Sequence, residues 1–315
     1  MRSRLVPPSE YAARTGIPES TLRRQLSKGL IPGRKQGNYW YVLEEIQTPE
    51  GSGIFTAFTH AGGAGKTSLV RDLGTALAYR GFRVLLIDAD PQANLTSWLG
   101  AREVKPEETL LFLLETGQLP PTRILENGLH LVPSSLDLAR IEVRLMQKPL
   151  STLLLRTALR KEPEFDFVLI DSLPSLGHLA ALAAMASDGL IGPVETSIKG
   201  LEAVVGVLEA AAEYRDSLSQ IGTVPESFVR FFVPTKYDQR TGGDNRVLDR
   251  LAAFQSIAPI ASPLTYRPGP HRKATESALA LQNVGDKEAR EEIERLTQEF
   301  LSAVASEALK AEVRP

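Results

Sequence analysis

Ala61-Gly62-Gly63-Ala64-Gly65-Lys66-Thr67-Ser68 is the stretch on which the reading of this sequence turns. It lies between a short apolar run, Ile54 to Thr59, and a helical pattern rich in Leu and Ala. Glycines let backbone N–H groups turn inward around an anion, and the helix that follows presents its positive N-terminal end. Lys66 can then reach terminal phosphates, and the Thr67 hydroxyl can hold Mg²⁺. The chemistry points to a nucleoside triphosphate. Gly62, Gly63, Ala64, Gly65, Lys66, Thr67 and Ser68 are the expected cradle, with Lys66 also catalytic. The strict pattern G-x-x-x-x-G-K-[ST] wants Gly at position 60 and finds His60, so only its second half is matched.

Downstream, Val84-Leu-Leu-Ile-Asp88-Ala-Asp90-Pro91-Gln92 reads as a buried strand ending in two carboxylates two residues apart. That spacing sends both side chains to one face at the carboxyl edge of a sheet, where ligands of open α/β folds bind. Asp90 is expected to position or activate the attacking water, and Asp88 to hold Mg²⁺ through its waters. The bland alternative for either acid is a cap on the following turn. A further strand, Phe165 to Asp171, ends in the single acid of a Walker B position, expected on the Mg²⁺ side.

The rest of the chain fits an α/β P-loop NTPase, a mostly parallel sheet with helices on both faces, because short apolar runs alternate with helical patterns. Expected strands are Ile54 to Thr59, Arg83 to Asp88, Leu129 to Val132, Phe165 to Asp171, Leu190 to Val194 and Val229 to Pro234. A closing helix, Asp286 to Ala311, carries Ile293, Leu296, Phe300 and Val304 as one apolar stripe.

The 315 residues are 43% apolar and 23% charged, enough to bury a core and not the composition of a disordered chain. The absence of cysteine excludes disulfides, thiolate catalysis and Cys-held metal clusters, and fits a reducing cytosol. No ligand spacing links His60, His130, His178 and His271. The longest strongly apolar stretch, Leu179 to Ala186, is far short of the roughly 20 residues that cross a bilayer. No signal-peptide core is evident, so neither secretion nor membrane binding is expected.

Net charge is only −2, but it is unevenly spread. Residues 1–35 carry eight basic side chains against two acidic ones, and residues 230–273 carry eight against three. The first region reads as a separate unit over 1–46. Ser9 and Ser20 are candidate caps of two short helices, and a basic-tipped hairpin follows over 33–42. Residues 47–53, rich in turn formers, read as a linker, leaving 54–315 for the nucleotide-binding domain.

The segment from Ser9 to Val42 resembles the winged helix-turn-helix of MerR-type and excisionase-type DNA binders. That resemblance implies that Ser20, Thr21, Arg23, Arg24 and Lys28 face a major groove and that Arg34 and Lys35 meet the backbone. In the second basic region Arg246, Arg250, Arg267, Arg272 and Lys273 are the candidates for sequence-independent phosphate contact.

From Ile54 to Leu309 the sequence resembles the ParA family of deviant-Walker partition ATPases, within the group that includes MinD. The motifs are GGAGKT from 62, IDADPQANLT from 87, LHLVPSSLDLARIEV from 129, FDFVLIDSLPSLG from 165, GPVETSIKGLEAV from 192 and VPTKYDQRT from 233. The resemblance implies ATP and Mg²⁺ as cofactors, an ATP-dependent homodimer that binds non-specific DNA, and stimulation by a ParB-type centromere-binding partner. Plasmids or chromosomal origins would be the cargo, and the protein would be nucleoid-associated. It assigns Asp90 to the water, Asp171 to Walker B, and Pro193, Glu195, Lys236, Tyr237 and Asp238 to the adenine pocket. It also implies autoregulation through the amino-terminal unit.

One departure stands out. The family's signature lysine falls at position 61, which is Ala61 here. Loss of a cation beside the phosphates is expected to weaken hydrolysis or dimerisation, and His60 and Lys199 are the candidate substitutes. The alternative is a non-hydrolysing regulator whose DNA binding is switched by nucleotide. A membrane-cycling MinD-like role is disfavoured by a tail that from Asp286 onward carries five basic against eight acidic residues.

Overall fold

The structure, a computed structural model, describes residues 2–6, 8–15, 17–36, 39–46, 52–125, 128–148, 150–161, 165–222 and 224–312. The chain divides into two compact units, Met1–Glu50 and Gly51–Pro315. Residues 47–51 of the expected linker lie outside the described residues, and Gly53, read as its last residue, already begins a strand.

In the first unit, β1 (Arg2–Val6) is followed by α1 (Pro8–Thr15), α2 (Glu19–Ser27), β2 (Gly33–Gln36) and β3 (Tyr39–Ile46). Strands β2 and β3 form the expected hairpin, and β1 pairs antiparallel on the other side of β3. Strand β1 was not foreseen. Leu22 and Leu26, one turn apart on α2, are buried, so the helix is amphipathic with its basic residues outward. The expected Ser20 cap is not formed. Helix α2 begins one residue earlier, after Pro18, with no side-chain cap, because proline presets the backbone for entry.

The second unit is built on a seven-stranded sheet. Its strands are β4 (Gly53–Ala57), β5 (Val84–Ala89), β6 (Arg123–Ile124), β7 (His130–Val132), β8 (Phe167–Ser172), β9 (Gly189–Glu195) and β10 (Val229–Thr235). The order is β10-β9-β4-β8-β5-β7-β6, parallel throughout except for the antiparallel edge strand β6. All six expected strands occur. Among the described strands of this unit, the two-residue β6 is the one not expected.

Side chains of β8 alternate between the two faces. Phe167 and Leu169 join one cluster with α3 (Lys66–Tyr79) and the stripe of α12 (Lys287–Glu312), while Val168 and Ile170 join another under α5 (Leu110–Thr116), α7 (Leu154–Lys161) and α8 (His178–Ala186). Burial of both faces is what a parallel sheet requires. Ile293, Leu296, Phe300 and Val304 are all buried. The Phe300 ring meets Phe55 edge-on at 5.2 Å and lies 6.1 Å from Phe231, so its truncation to Ala would cost on the order of 3–5 kcal/mol. With β4 central and its neighbours' carboxyl ends aligned, the loop after β4 opens at the sheet edge where a ligand binds.

Candidate nucleotide-binding site

Residues 58–65 connect β4 to α3. Gly63 and Gly65 have φ of +79° and +92°, a conformation that side chains resist and that turns the backbone around the loop's centre. Gly65 stands immediately before the first turn of α3, so the helix dipole and free N–H groups face the same point. The loop is tied down from β10, where the Thr235 hydroxyl donates to the Ala64 carbonyl at 2.9 Å. The Thr235 side chain also fills the space beside Gly65.

Lys66 is buried, and its Nζ donates to the Thr59 carbonyl at 3.0 Å. Burial lowers its pKa, while the charges of Asp171 and Asp90 pull it back up. Asp171, at the end of β8, is 1% exposed, and neither of its carboxylate oxygens has a hydrogen-bond partner within 3.5 Å. Burial holds its pKa well above the usual carboxylate range and the neighbouring Asp88 adds to this, against weaker opposition from the Thr67 hydroxyl and Lys66. A buried carboxylate with both oxygens orphaned is costly. A divalent cation and its waters would satisfy it, so the donor set fits Mg²⁺.

Asp88 stands in register with Asp171 on the neighbouring strand but does different work. Its oxygens accept from the Thr96 N–H and hydroxyl at 2.9 and 2.7 Å and from the Asp90 N–H at 3.1 Å. Burial is the main reason its pKa rises to about 6. In this structure Asp88 clamps the turn that presents Asp90. Asp90 accepts from the Gln92 N–H through Oδ1 and receives the Ser134 hydroxyl on its backbone carbonyl.

A cavity of about 1080 Å³ is lined by Gly63, Ala64, Gly65, Lys66, Thr67, Ser68, Asp90 and Lys236. From the loop it runs to Trp98, Leu264, Tyr266, Pro268, His271 and Ile293. This far end was not marked in the sequence, since the residues 264–271 carry no motif of their own. Of the residues expected around adenine, only Lys236 lines the cavity. Pro193 is buried in β9, Glu195 pairs with Lys236, the Tyr237 hydroxyl donates to Asn245, and Asp238 pairs with Arg240. Asp171 is buried and does not line the cavity. Ala61 packs with Ala64 and Ala203. His60 lies against Gly206 of α9 (Ile198–Ser219), and Lys199 is exposed in the first turn of that helix; neither lines the cavity.

The basic candidates separate as well. Arg246 and Arg250 are exposed on α10 (Gly242–Leu251). Arg272 is exposed on α11 (Pro268–Glu276) but also lines the nucleotide cavity, and Lys273 donates to the Val284 carbonyl at 2.8 Å. Arg267 does not offer a free charge. It is 18% exposed and paired with Glu288 at 2.9 Å and Glu292 at 3.0 Å. In the first unit Arg23, Arg24, Lys28 and Lys35 are exposed, Thr21 is half-buried, and Arg23 pairs with Glu19 one turn back. The Arg34 side chain lies outside the described residues.

Loop, aligned acids and sheet order define a P-loop NTPase. A model of an AAA domain matches residues 54–220. A Thermus thermophilus protein named "Probable plasmid-partitioning protein ParA" is 65% identical over 308 residues, 96% of this chain and 94% of its own length. The chain belongs to the ParA family of partition ATPases. Among solved structures, apo McdA from Cyanothece superposes with a TM-score of 0.69 at 24% identity, covering 78% of this chain and 98% of its own, which supports the fold. Cobyrinic acid a,c-diamide synthase from Mycobacterium smegmatis, solved with ADP and magnesium, is 29% identical over 73% of this chain and 91% of its own, with a TM-score of 0.59. No helix among the described residues is long and apolar enough to cross a membrane.

Proposed function

We propose that this chain, with ATP and Mg²⁺ as its cofactors, binds DNA non-specifically as an ATP-bound homodimer and hydrolyses ATP when a ParB-type partner stimulates it, and so moves a plasmid or chromosomal origin over the nucleoid. One observation carries the reading: Lys66 and Thr67 at the end of the loop lie beside the buried Asp171 carboxylate, and the charges of both Asp171 and Asp90 act on Lys66. Lys66 would leave the Thr59 carbonyl for phosphate oxygens. Thr67 and Asp171 would hold the ion, directly and through its waters. Asp90, fixed by the Asp88 clamp, would orient water and accept its proton. ATP supplies the phosphoanhydride to be cleaved, and Mg²⁺ offsets charge on its phosphates. The far end offers the rings of Tyr266 and Trp98 as surfaces for a base, whereas of the segment expected from sequence Lys236 alone lines the cavity.

Phosphate release measured with Mg-ATP alone, with DNA and with the partner tests this, as does an Asp90→Ala variant that keeps nucleotide and loses turnover. One observation favours a second reading. Ala61 is buried without any charge where the family has its lysine, which suits a regulator that binds DNA in response to nucleotide without hydrolysing it. Nucleotide-dependent DNA binding with no phosphate release would select that reading.

The exposed basic face of α2 opposite Leu22 and Leu26 supports a DNA-reading role for the first unit and repression of the protein's own promoter. Binding to the upstream DNA by parent and Arg23→Ala/Arg24→Ala chains, compared with scrambled DNA, separates sequence readout from general attraction.

A further inference from the structure

We infer that Lys236 is a second phosphate-binding cation of the nucleotide site, held on Glu195 until a polyphosphate occupies the loop. The inference rests on the nucleotide reading above and gives one residue a different task from the base contact its motif implied. Lys236 follows Thr235, the residue whose hydroxyl pins the Ala64 carbonyl, so its Cα is anchored to the phosphate loop. Its backbone adopts φ of +57°, an uncommon conformation for a side chain with a Cβ. The ammonium lies over the loop. A methyl group built on Gly63 would stand 3.7 Å from Nζ, and nothing else would come within 4 Å of it. Lys236 therefore lines the cavity beside Gly63, Ala64 and Gly65.

In this structure Nζ donates to Glu195 Oε2 at 3.1 Å, in a pair whose side chains are 39% and 34% exposed. Such solvated pairs contribute little, whereas an ammonium on a phosphate, sheltered in a cleft, makes a charge-assisted bond of the stronger kind. A phosphate chain in the loop would thus draw Lys236 off Glu195. The displaced partner, Glu195, stays solvated. The loop's own charge makes this useful. Ala61 contributes none, and His60 and Lys199 stand away from the cavity wall, leaving Lys66 and Lys236 as the two lysines on it near the glycines.

The test is competition binding with the full chain and Mg²⁺, using ATP and inorganic tripolyphosphate, which has no base. Lys236→Met is expected to weaken both by the same factor, roughly tenfold to a hundredfold. Lys236→Arg should restore most of the loss, and Glu195→Gln should tighten both ligands a few-fold by releasing the ammonium. Unchanged tripolyphosphate affinity in Lys236→Met, whether or not ATP weakens, overturns the inference, as does weaker binding by Glu195→Gln. Lys66→Ala is the control. If it abolishes binding while Lys236→Met does not, Lys236 alone is wrongly placed. If the parent binds neither ligand, the nucleotide reading falls, and this inference with it.

Discussion

The Thr235 hydroxyl and the Ala64 carbonyl, 171 residues apart in sequence, are joined by a 2.9 Å hydrogen bond that fastens the end of β10 to the phosphate loop. Thr235→Val keeps the shape and removes the donor, leaving a buried carbonyl short of a partner at a cost of about 1–3 kcal/mol. The loop should loosen without loss of the fold. Calorimetric titration with ATP and Mg²⁺ is expected to show affinity reduced about tenfold, and circular dichroism an unaltered helix content.

Asp171 is the opposite case, a buried carboxyl whose oxygens have no hydrogen-bond partner within 3.5 Å. Replacing it with Asn removes a group whose ionisation burial opposes, so the nucleotide-free protein should melt higher by a few degrees, corresponding to about 1 kcal/mol. The stabilisation normally conferred by Mg-ATP should vanish in the same variant. Scanning calorimetry with and without nucleotide checks both signs. A lower apo melting temperature would contradict the prediction.

The Glu108–Arg123 pair fastens β6 to the segment before α5 through two bonds of 2.9 and 2.7 Å, and Arg123 also donates to the Arg102 and Glu103 carbonyls. The hydrogen bonds from Arg123 lower the Glu108 pKa to about 2. A carboxylate more acidic in the folded state stabilises above its unfolded pKa and loses that contribution as pH falls toward 2. Both side chains remain about a quarter exposed, so solvent screening limits the effect to about 1 kcal/mol. Urea denaturation of Glu108→Gln and parent should differ by that amount at pH 7, and the gap should close between pH 4.5 and 2.

Gly200, in the first turn of α9, has no room for a side chain, because an added Cβ would collide with the Glu195 carbonyl oxygen. Backbone cannot swing aside as a side chain can, so Gly200→Ala should destabilise by about 1–3 kcal/mol. Chemical denaturation measures it. Glu195 is also the partner of Lys236, so the variant should show altered tripolyphosphate binding even under conditions where it is fully folded.

For DNA, exposure divides the candidate arginines. Neutralising Arg246 and Arg250 should flatten the dependence of log affinity on log salt by about two for each copy bound. Arg267→Ala should leave that slope unchanged and lower thermal stability instead, since it removes the partner of Glu288 and Glu292. Fluorescence anisotropy over a salt series discriminates the two.

How legible the molecule was depends on which physical signal each part leaves in the chain. Strands such as β5 and β8 announce themselves as unbroken apolar runs because both faces are buried, and the stripe of α12 repeats at helical spacing because only one face is. Strand β6 has two residues and no pattern to detect. Asp88 and Asp90 share one face in the sequence, and the approach of Thr96 in the fold reveals that Asp88 also clamps the turn. Arg267 reads as surface charge until the long-range return of Glu288 and Glu292 neutralises it. The far end of the cavity, from Leu264 to His271, is assembled from α11, α12 and a connecting segment, so no local spacing foretold it.

The aromatic knot of Phe300 with Phe55, Phe167 and Phe231 draws together positions separated by up to 245 residues. A chain cut ahead of residue 287 would leave three bare rings on one side of the sheet, a sticky intermediate rather than a smaller folded domain. The last helix of the chain is therefore a condition for closing the core laid down by β4.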